Sequence, residues 1–343
     1  MFHPDHLNPM INSNSPEFRT DVLTGLRVLI APARSSRPSA THPEPPLFRT
    51  DDPFAEGHEM DTPGERFAVR NSDSAANGPG WKLRVVPNRY PAVISEAGGT
   101  GIVGSSLFPA QSASGEHDVV IECPDSRTRL AELTLDEVQT VLQAWRTRVQ
   151  QLVSAGRYST LAVFRNEGFS AGASLAHCHS QIIASEELMP LDRERSARAA
   201  EHKARTGREL AADLLQAERS DGSRMICETA HFAVFCPFAS RTSWHIRFLP
   251  ILQQPCTFAE ASDECLTELA LLIKRQLNQL EHVLGGPFSF NLTLPHPRLD
   301  QPPQFRWMLD LLPRTGRHAG WEYLTSVDII TVAPEQAAKM LRS

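Results

Sequence analysis

The sequence has no CxxC pair, no HExxH motif and no long uncharged apolar run. Its six cysteines, Cys123, Cys178, Cys227, Cys236, Cys256 and Cys265, are scattered, which gives neither a disulfide framework nor a clustered metal site. A basic surplus is missing too. With 34 Lys and Arg against 40 Asp and Glu, the net charge of −6 argues against a nucleic-acid partner that needs a broad basic surface. The stretch MFHPDHLNPM lacks a basic segment followed by an apolar core, so the expectation is a soluble, cytoplasmic chain with no membrane partner. What remains is ordinary globular material, 41% hydrophobic and 22% charged over 343 residues, enough for one large or two medium domains.

The chemistry concentrates in Leu161 to Ser185, LAVFRNEGFSAGASLAHCHSQIIAS. An apolar run (Leu161 to Phe164) leads through a turn of small residues (Gly168, Ala171, Gly172, Ala173) to alternating His177, Cys178, His179, Ser180, Gln181, which reads as strand, loop, strand. In an extended segment His177, His179 and Gln181 share one face, and Cys178, Ser180 and Ile182 share the other. Three polar side chains in a row do not suit a core, and the small residues before them leave room for a ligand such as a phosphate ester. Two plainer readings stand beside this one. The pair can be solvated on an open sheet face, or it can be half of a zinc site, which needs further ligands.

The segment Asn166, Gly168, Ala171-Gly172-Ala173-Ser174, His177-Cys178-His179-Ser180-Gln181 resembles the active-site segment of the galactose-1-phosphate uridylyltransferase family, the transferase branch of the histidine-triad superfamily. The resemblance runs from about Phe18 to Leu341. It implies an α+β fold of tandem duplicated units, mostly antiparallel sheets with packed helices. It also implies that His179 is the nucleophile, with Gln181 in the third triad position and His177 beside them as the catalytic set.

Other parts of the chain carry the resemblance further. Phe18 to Pro38 matches the family's opening motif. Arg34 and Arg37 there are either solvated loop charges or guanidinium forks for phosphate, reaching across a subunit interface as the family suggests. In WKLRVVPNRYPAV (Trp81 to Val93), Asn88, Arg89 and Tyr90 match a segment that contacts base and ribose. The plain alternative is a strand-end turn. Residues 39 to 80 read as a long irregular excursion. Within it, Asp52 and Ala55 fall where many family members carry a zinc-binding CxxC, and Ser126 falls where a histidine ligand stands. Of that zinc set only His177 is retained. One imidazole and an acid do not make a closed tetrahedral site, so no cofactor is expected, and a contact of Asp52 with His177 is expected in the metal's place. His296 matches a ligand of a second metal in some members, but its partners fall on Met308 and Asp310, so that metal is not expected either.

Thr134 to Ala155 reads as an amphipathic helix with a capping box at Thr134 and Glu137 and a stop at Gly156. Asp192 to Glu218, highly charged and alanine-rich, reads as an exposed helical connector. From Phe232 a second series of strands, a helix from about Asp263 to Leu284 and two further strands repeats the order of the first half. This predicts a catalytic unit over 17–190 and a second unit over 191–343 without catalytic histidines. FRWMLDLLPR stands where the first unit has AHCHSQIIAS, and Trp307, Leu309 and Leu311 are expected in the triad's places. Glu322, in Ala319-Gly320-Trp321-Glu322, matches a sugar-contacting residue.

The function implied is nucleotidyl transfer between a nucleoside diphosphate sugar and a hexose 1-phosphate through a covalent nucleotidyl-histidine, in a homodimer. Asn166 and Ser174 join the substrate contacts, with Ser174 serving the leaving phosphate. The run Gly172 to Leu175 also resembles ADP-glucose phosphorylase relatives, which pass an adenylyl group to phosphate. Two rivals from other classes are a non-catalytic nucleotide-sugar sensor and a hydrolase with His177 and His179 as metal ligands. Retention of both His179 and Gln181 weighs against the sensor.

Overall fold

The computed structural model describes residues 15–36, 52–95 and 102–342. An antiparallel hairpin, β1 (Glu17–Thr20) and β2 (Arg27–Ile30), comes first. Next are β3 (Phe67–Arg70), β4 (Trp81–Pro87), an exposed hairpin of β5 (Val103–Ser105) and β6 (Phe108–Ala110), and β7 (Gly115–Ile121). Helix α1 (Leu135–Ser154) leads to β8 (Thr160–Glu167) and β9 (His179–Ser185). Helices α2 (Pro190–Thr206) and α3 (Leu210–Asp221) precede β10 (Met225–Glu228), β11 (Phe232–Phe235) and β12 (Ile246–Pro250). Helix α4 (Asp263–Leu284), β13 (Phe290–Pro295) and β14 (Leu309–Pro313) follow, and α5 (Gly320–Thr325), β15 (Asp328–Ile330) and α6 (Pro334–Leu341) close the chain.

Ten strands make one antiparallel sheet in the order β10-β11-β12-β14-β13-β8-β9-β7-β4-β3. Outward from the centre, one side runs β8-β9-β7-β4-β3 and the other β13-β14-β12-β11-β10. The chain enters each set in the same sequence of three strands, one helix and two strands, so the duplication expected from the sequence is present in the topology. β8 and β13 join the halves, with Asn166 opposite Asn291. β15 lies outside this sheet and pairs in parallel with β2. Among the described residues no helix is long and apolar enough to cross a membrane.

Both long helices form where the sequence pattern places them. Thr134 Oγ1 accepts the Glu137 N–H at 3.3 Å, and Glu137 Oε2 accepts the Thr134 N–H at 2.7 Å, a reciprocal cap of the kind worth about 1 kcal/mol. Ser262 caps α4 by accepting from the Cys265 N–H. The stripes of α1 (Val138, Val141, Trp145, Val149) and α4 (Leu266, Leu269, Ile273, Leu277) share one core with Leu161, Val163, Ile182, Phe248 and Leu292. Each fully buried side chain of this size contributes roughly 1.5–3 kcal/mol.

Three expectations need correction. The excursion at 39–80 contains a strand, β3, on the edge of the sheet. The charged connector is not simply exposed. Ala199 of α2 and Leu215 of α3 pack with Ala233, Phe235, Leu249 and Met308 on the sheet face away from α1 and α4. Trp307, Leu309 and Leu311 do not stand in the triad's places, because they belong to the helix-side core. Side chains alternate along a strand, so Met308 and Asp310 take the face that His179 and Gln181 occupy in the first half; a register error of one residue reverses every side chain.

Candidate active site

β9 lies between β7 and β8, with His179 opposite Ile121 and Gln181 opposite both Val119 and Phe164. Alternation turns Ser180 and Ile182 towards α1, where the Trp145 indole N–H donates to Ser180 Oγ at 2.7 Å. His179 and Gln181 face the other way, into a cavity of about 470 Å³ that Phe54, Asn88, Arg89, Tyr90 and Ser174 also line. That volume suits a small-molecule ligand. Tyr90, 81% exposed, stands at its rim, and Phe54 meets the His179 ring edge-on at 5.4 Å.

His179 Nδ1–H donates to the backbone carbonyl of His177 at 2.7 Å. That assigns the proton to Nδ1 and the lone pair to Nε2, which has no hydrogen-bond partner among the described residues. Burial, with Arg165 adding to it and the His177 carbonyl opposing it, pulls the imidazole down to about 4, so the ring is neutral at pH 7. Arg165 itself is buried behind β9. It pairs with Glu122 and, at 2.8 Å, with Glu167, and donates to the His179 carbonyl at 3.4 Å. Glu167 in turn accepts the Leu130 N–H at 2.8 Å. The strand that carries the histidine is therefore tied to its surroundings by a buried charge cluster.

The loop between β8 and β9 is shaped by close approach. Gly168 has φ +83°, and a Cβ there would sit 2.0 Å from Ser289 Oγ, so no other residue fits. Asn166, before the loop, faces a second cavity of about 660 Å³ between the halves, lined also by Ser289 and Arg314. The second half orients Asn166. Arg314 Nε donates to Asn291 Oδ1, and Asn291 Nδ2 donates to Asn166 Oδ1 at 2.8 Å, which leaves the Asn166 NH₂ for a ligand.

The family's zinc positions hold a different arrangement. Asp52 Oδ2 accepts from the Ser126 hydroxyl at 2.6 Å and from His177 Nδ1 at 2.8 Å, while His177 Nε2 donates to the Cys123 carbonyl at 2.8 Å. Burial opposes the charge on Asp52, but its bonds to His177 and Ser126 outweigh burial and hold the carboxyl well below the usual range. Ala55 offers no donor atom and both nitrogens of His177 are engaged, so these residues do not fit a tetrahedral zinc ion. The Asp52–His177 contact expected from the sequence is present. His296 is likewise engaged at both nitrogens, with the Pro297 carbonyl at 2.8 Å and the Phe258 N–H at 3.3 Å. Among the described residues no group of three or more His, Cys, Asp or Glu could hold a metal.

The structure brings His179, Gln181, Asn88, Arg89, Tyr90 and Ser174 into one cavity, whereas His177 and Asn166 line the neighbouring one. It does not bring the remaining candidates there. Arg34 is exposed on the turn Pro32–Ser36, and Arg37 lies outside the described residues. Glu322 accepts the Ala319 N–H at 2.9 Å and lines a separate groove with Arg241 and Asp328. Sequence reasoning missed Arg165, Asn291 and His117, the last of which lies 2.8 Å from the Gln181 side-chain oxygen. For Arg165 a signal existed, a lone charge in the apolar run LAVFRN.

Comparison with known proteins shows what the chain is similar to. The profile of the galactose-1-phosphate uridyl transferase N-terminal domain matches residues 6–189. An ADP-glucose phosphorylase of Arabidopsis thaliana is 29% identical over 97% of this chain and 94% of its own length. A galactose-1-phosphate uridylyltransferase of Thermotoga maritima is 24% identical over 76% of this chain and 84% of its own. Among solved structures, the Arabidopsis thaliana ADP-glucose phosphorylase with bound ADP-glucose superimposes with a TM-score of 0.80 at 29% identity, covering 96% of this chain and 99% of that one.

Proposed function

The chain belongs to the galactose-1-phosphate uridyl transferase family, and we propose that it moves a nucleoside monophosphate from a nucleoside diphosphate sugar to a phosphorylated acceptor through a covalent nucleotidyl-histidine. The observation that carries this reading is His179 itself, whose Nδ1 proton is held by the His177 carbonyl and whose Nε2 lone pair has no partner among the described residues. Nε2 attacks the α-phosphorus. The bond from that phosphorus to the bridging oxygen breaks, and the sugar leaves as its 1-phosphate. In the second step an acceptor phosphate oxygen attacks the same phosphorus and the N–P bond breaks, returning His179 to its starting state. Gln181 donates to a phosphoryl oxygen as charge develops on it, and Ser174 serves the leaving phosphate. Asn88, Arg89 and Tyr90 hold base and ribose, and Asn166 holds phosphate from the neighbouring cavity.

The donor is the finer question. Similarity to the Arabidopsis ADP-glucose phosphorylase across nearly the whole chain favours adenylyl transfer from ADP-glucose to phosphate. Uridylyl transfer from UDP-glucose to a hexose 1-phosphate is the second reading, supported by the match to the uridyl transferase domain. We take 17–190 as the catalytic unit and 191–343 as a unit without catalytic histidines, in a cytoplasmic homodimer. In that dimer Arg34, Arg37 and Glu322 would serve the partner's site. We expect no structural zinc, its place being taken by Ser126, Asp52 and His177.

Intact-protein mass spectrometry after incubation with ADP-glucose, UDP-glucose or UDP-galactose tests the reading. An AMP-sized or UMP-sized adduct, absent from His179→Ala, is the expected result and names the nucleotide. An adduct that persists in His179→Ala would move the nucleophile elsewhere, and no adduct from any donor would remove the covalent mechanism.

A further inference from the structure

Gln181 helps a phosphoryl group only when its amide nitrogen, not its oxygen, faces the cavity. Turned over, the amide would present lone pairs to phosphate oxygens. Something must therefore distinguish its two ends. The group that does so is His117 on β7, which sits opposite Ile183 and reaches diagonally to Gln181. Its Nε2 is 2.8 Å from Gln181 Oε1.

The tautomer is set from the far side of the ring. The backbone N–H of Ala92 donates to His117 Nδ1 at 3.0 Å. A backbone N–H cannot accept, so Nδ1 bears the lone pair and Nε2 of the neutral ring bears the proton. Nε2–H then donates to Gln181 Oε1, and both amide hydrogens of Gln181 are left for a ligand. The Asn88 amide nitrogen lies 3.2 Å from the same ring nitrogen, and Asn88 Oδ1 accepts the Tyr90 N–H at 2.8 Å. Both nitrogens carry hydrogens, so they only pack together, and the Asn88 NH₂ also stays available. The ring is buried, and the Asn88 N–H ties its backbone carbonyl at 2.8 Å.

We propose that His117 is a positioning residue for nucleotidyl transfer, which holds the Gln181 amide with its NH₂ towards the phosphoryl oxygen through a tautomer fixed by the Ala92 backbone. This rests on the covalent reading of His179 given above. His117 acts through Gln181 and touches no reacting atom, so its effect must vanish when the Gln181 amide is gone.

The test is single-turnover labelling of His179 in the full chain, read by quenched mass spectrometry, with whichever of ADP-glucose, UDP-glucose or UDP-galactose labels the wild type. The variants are His117→Phe, His117→Gln, Gln181→Ala and the double variant His117→Phe/Gln181→Ala. Phenylalanine keeps a ring without the donor, whereas glutamine can restore an N–H donor. His117→Phe should lower the maximal labelling rate about ten- to a hundredfold, approaching the loss of one preorganised donor. The donor concentration for half-maximal rate should stay nearly constant. His117→Gln should recover much of the rate, and His117→Phe should slow Gln181→Ala no further. Equal slowing in both backgrounds, or an unchanged rate in His117→Phe, would overturn the proposal. If His117→Phe does not fold, His117→Met takes its place in the same cycle. Failure of the wild type to label with any donor would instead remove the covalent reading and this inference with it.

Discussion

The two halves of the sheet have the same strand order and each packs one face on a long helix, yet they use the opposite face in contrary ways. In the first half that face is open, and its polar groups point unspent atoms at a cavity: Nε2 of His179 and the NH₂ groups of Asn88 and Gln181. In the second half the face lies under α2 and α3, and its central charges are taken up by a buried ion pair. Arg247 donates to both carboxylate oxygens of Asp310, at 2.7 and 2.9 Å, and His245 Nε2 lies 3.2 Å away. Burial works against the Asp310 charge, but Arg247 and His245 outweigh it and hold the carboxyl far below its usual range. One scaffold thus builds a site or a plug according to whether its polar atoms are left a vacancy. The histidine of the first half has an open side; the aspartate of the second has none.

The comparison breaks most visibly at Asp310. Asp310→Ala strips a buried guanidinium of its partner, a loss of about 3–5 kcal/mol in stability. Chemical denaturation should register that loss in full, while the fraction that stays folded should still label at His179. A loss of labelling per folded molecule would mean that the plugged face takes part in catalysis. Asp52→Ala is the milder counterpart in the first half. It leaves His177 Nδ1 buried without an acceptor, a cost of about 1–3 kcal/mol, and it loosens the backbone whose carbonyl fixes the His179 tautomer. Labelling should slow as well as stability fall, whereas Asp52→Asn, which keeps an acceptor, should do less of both. Stability loss with an unaltered labelling rate would show that this contact only holds the fold.

Elements that announce themselves locally were legible in the sequence. Thr134 with Glu137 gives the start of α1, the leucine stripe gives α4, and the alternation from His177 to Gln181 gives the facing of β9 correctly. The second unit's key strand was misaligned by one residue. Aligning FRWMLDLLPR on AHCHSQIIAS puts Leu309 and Leu311 in the triad's places, and Asp310 between them takes its meaning from Arg247, which is brought opposite by sheet register. His117 and Asn291 escaped for the same reason. Each reads as an unremarkable strand residue until β7 is laid beside β9 and β13 beside β8. The helical character of α2 and α3 was legible, but their many charges hid the side through which Ala199, Leu210, Leu214 and Leu215 pack on the sheet.

The smallest expected effect concerns pH, and it asks whether the open half is as dry as the closed one. Burial draws His179 down to about 4, as it does His296 in the second half. An unfolded imidazole titrates near 6.5. The folded value is depressed, so the stability contributed by the neutral ring is fully present above about pH 6.5 and is lost as pH falls through about 4. The nucleophile follows the same curve. At pH 5 a ring with pKa 6.5 would be only about 3% neutral, whereas one near 4 is about 90% neutral. Single-turnover labelling should therefore be almost as fast at pH 5 as at pH 7 and should halve only near pH 4. A midpoint near 6.5 would mean that water reaches His179 in the working state, and that the two halves differ in dielectric as well as in what covers them.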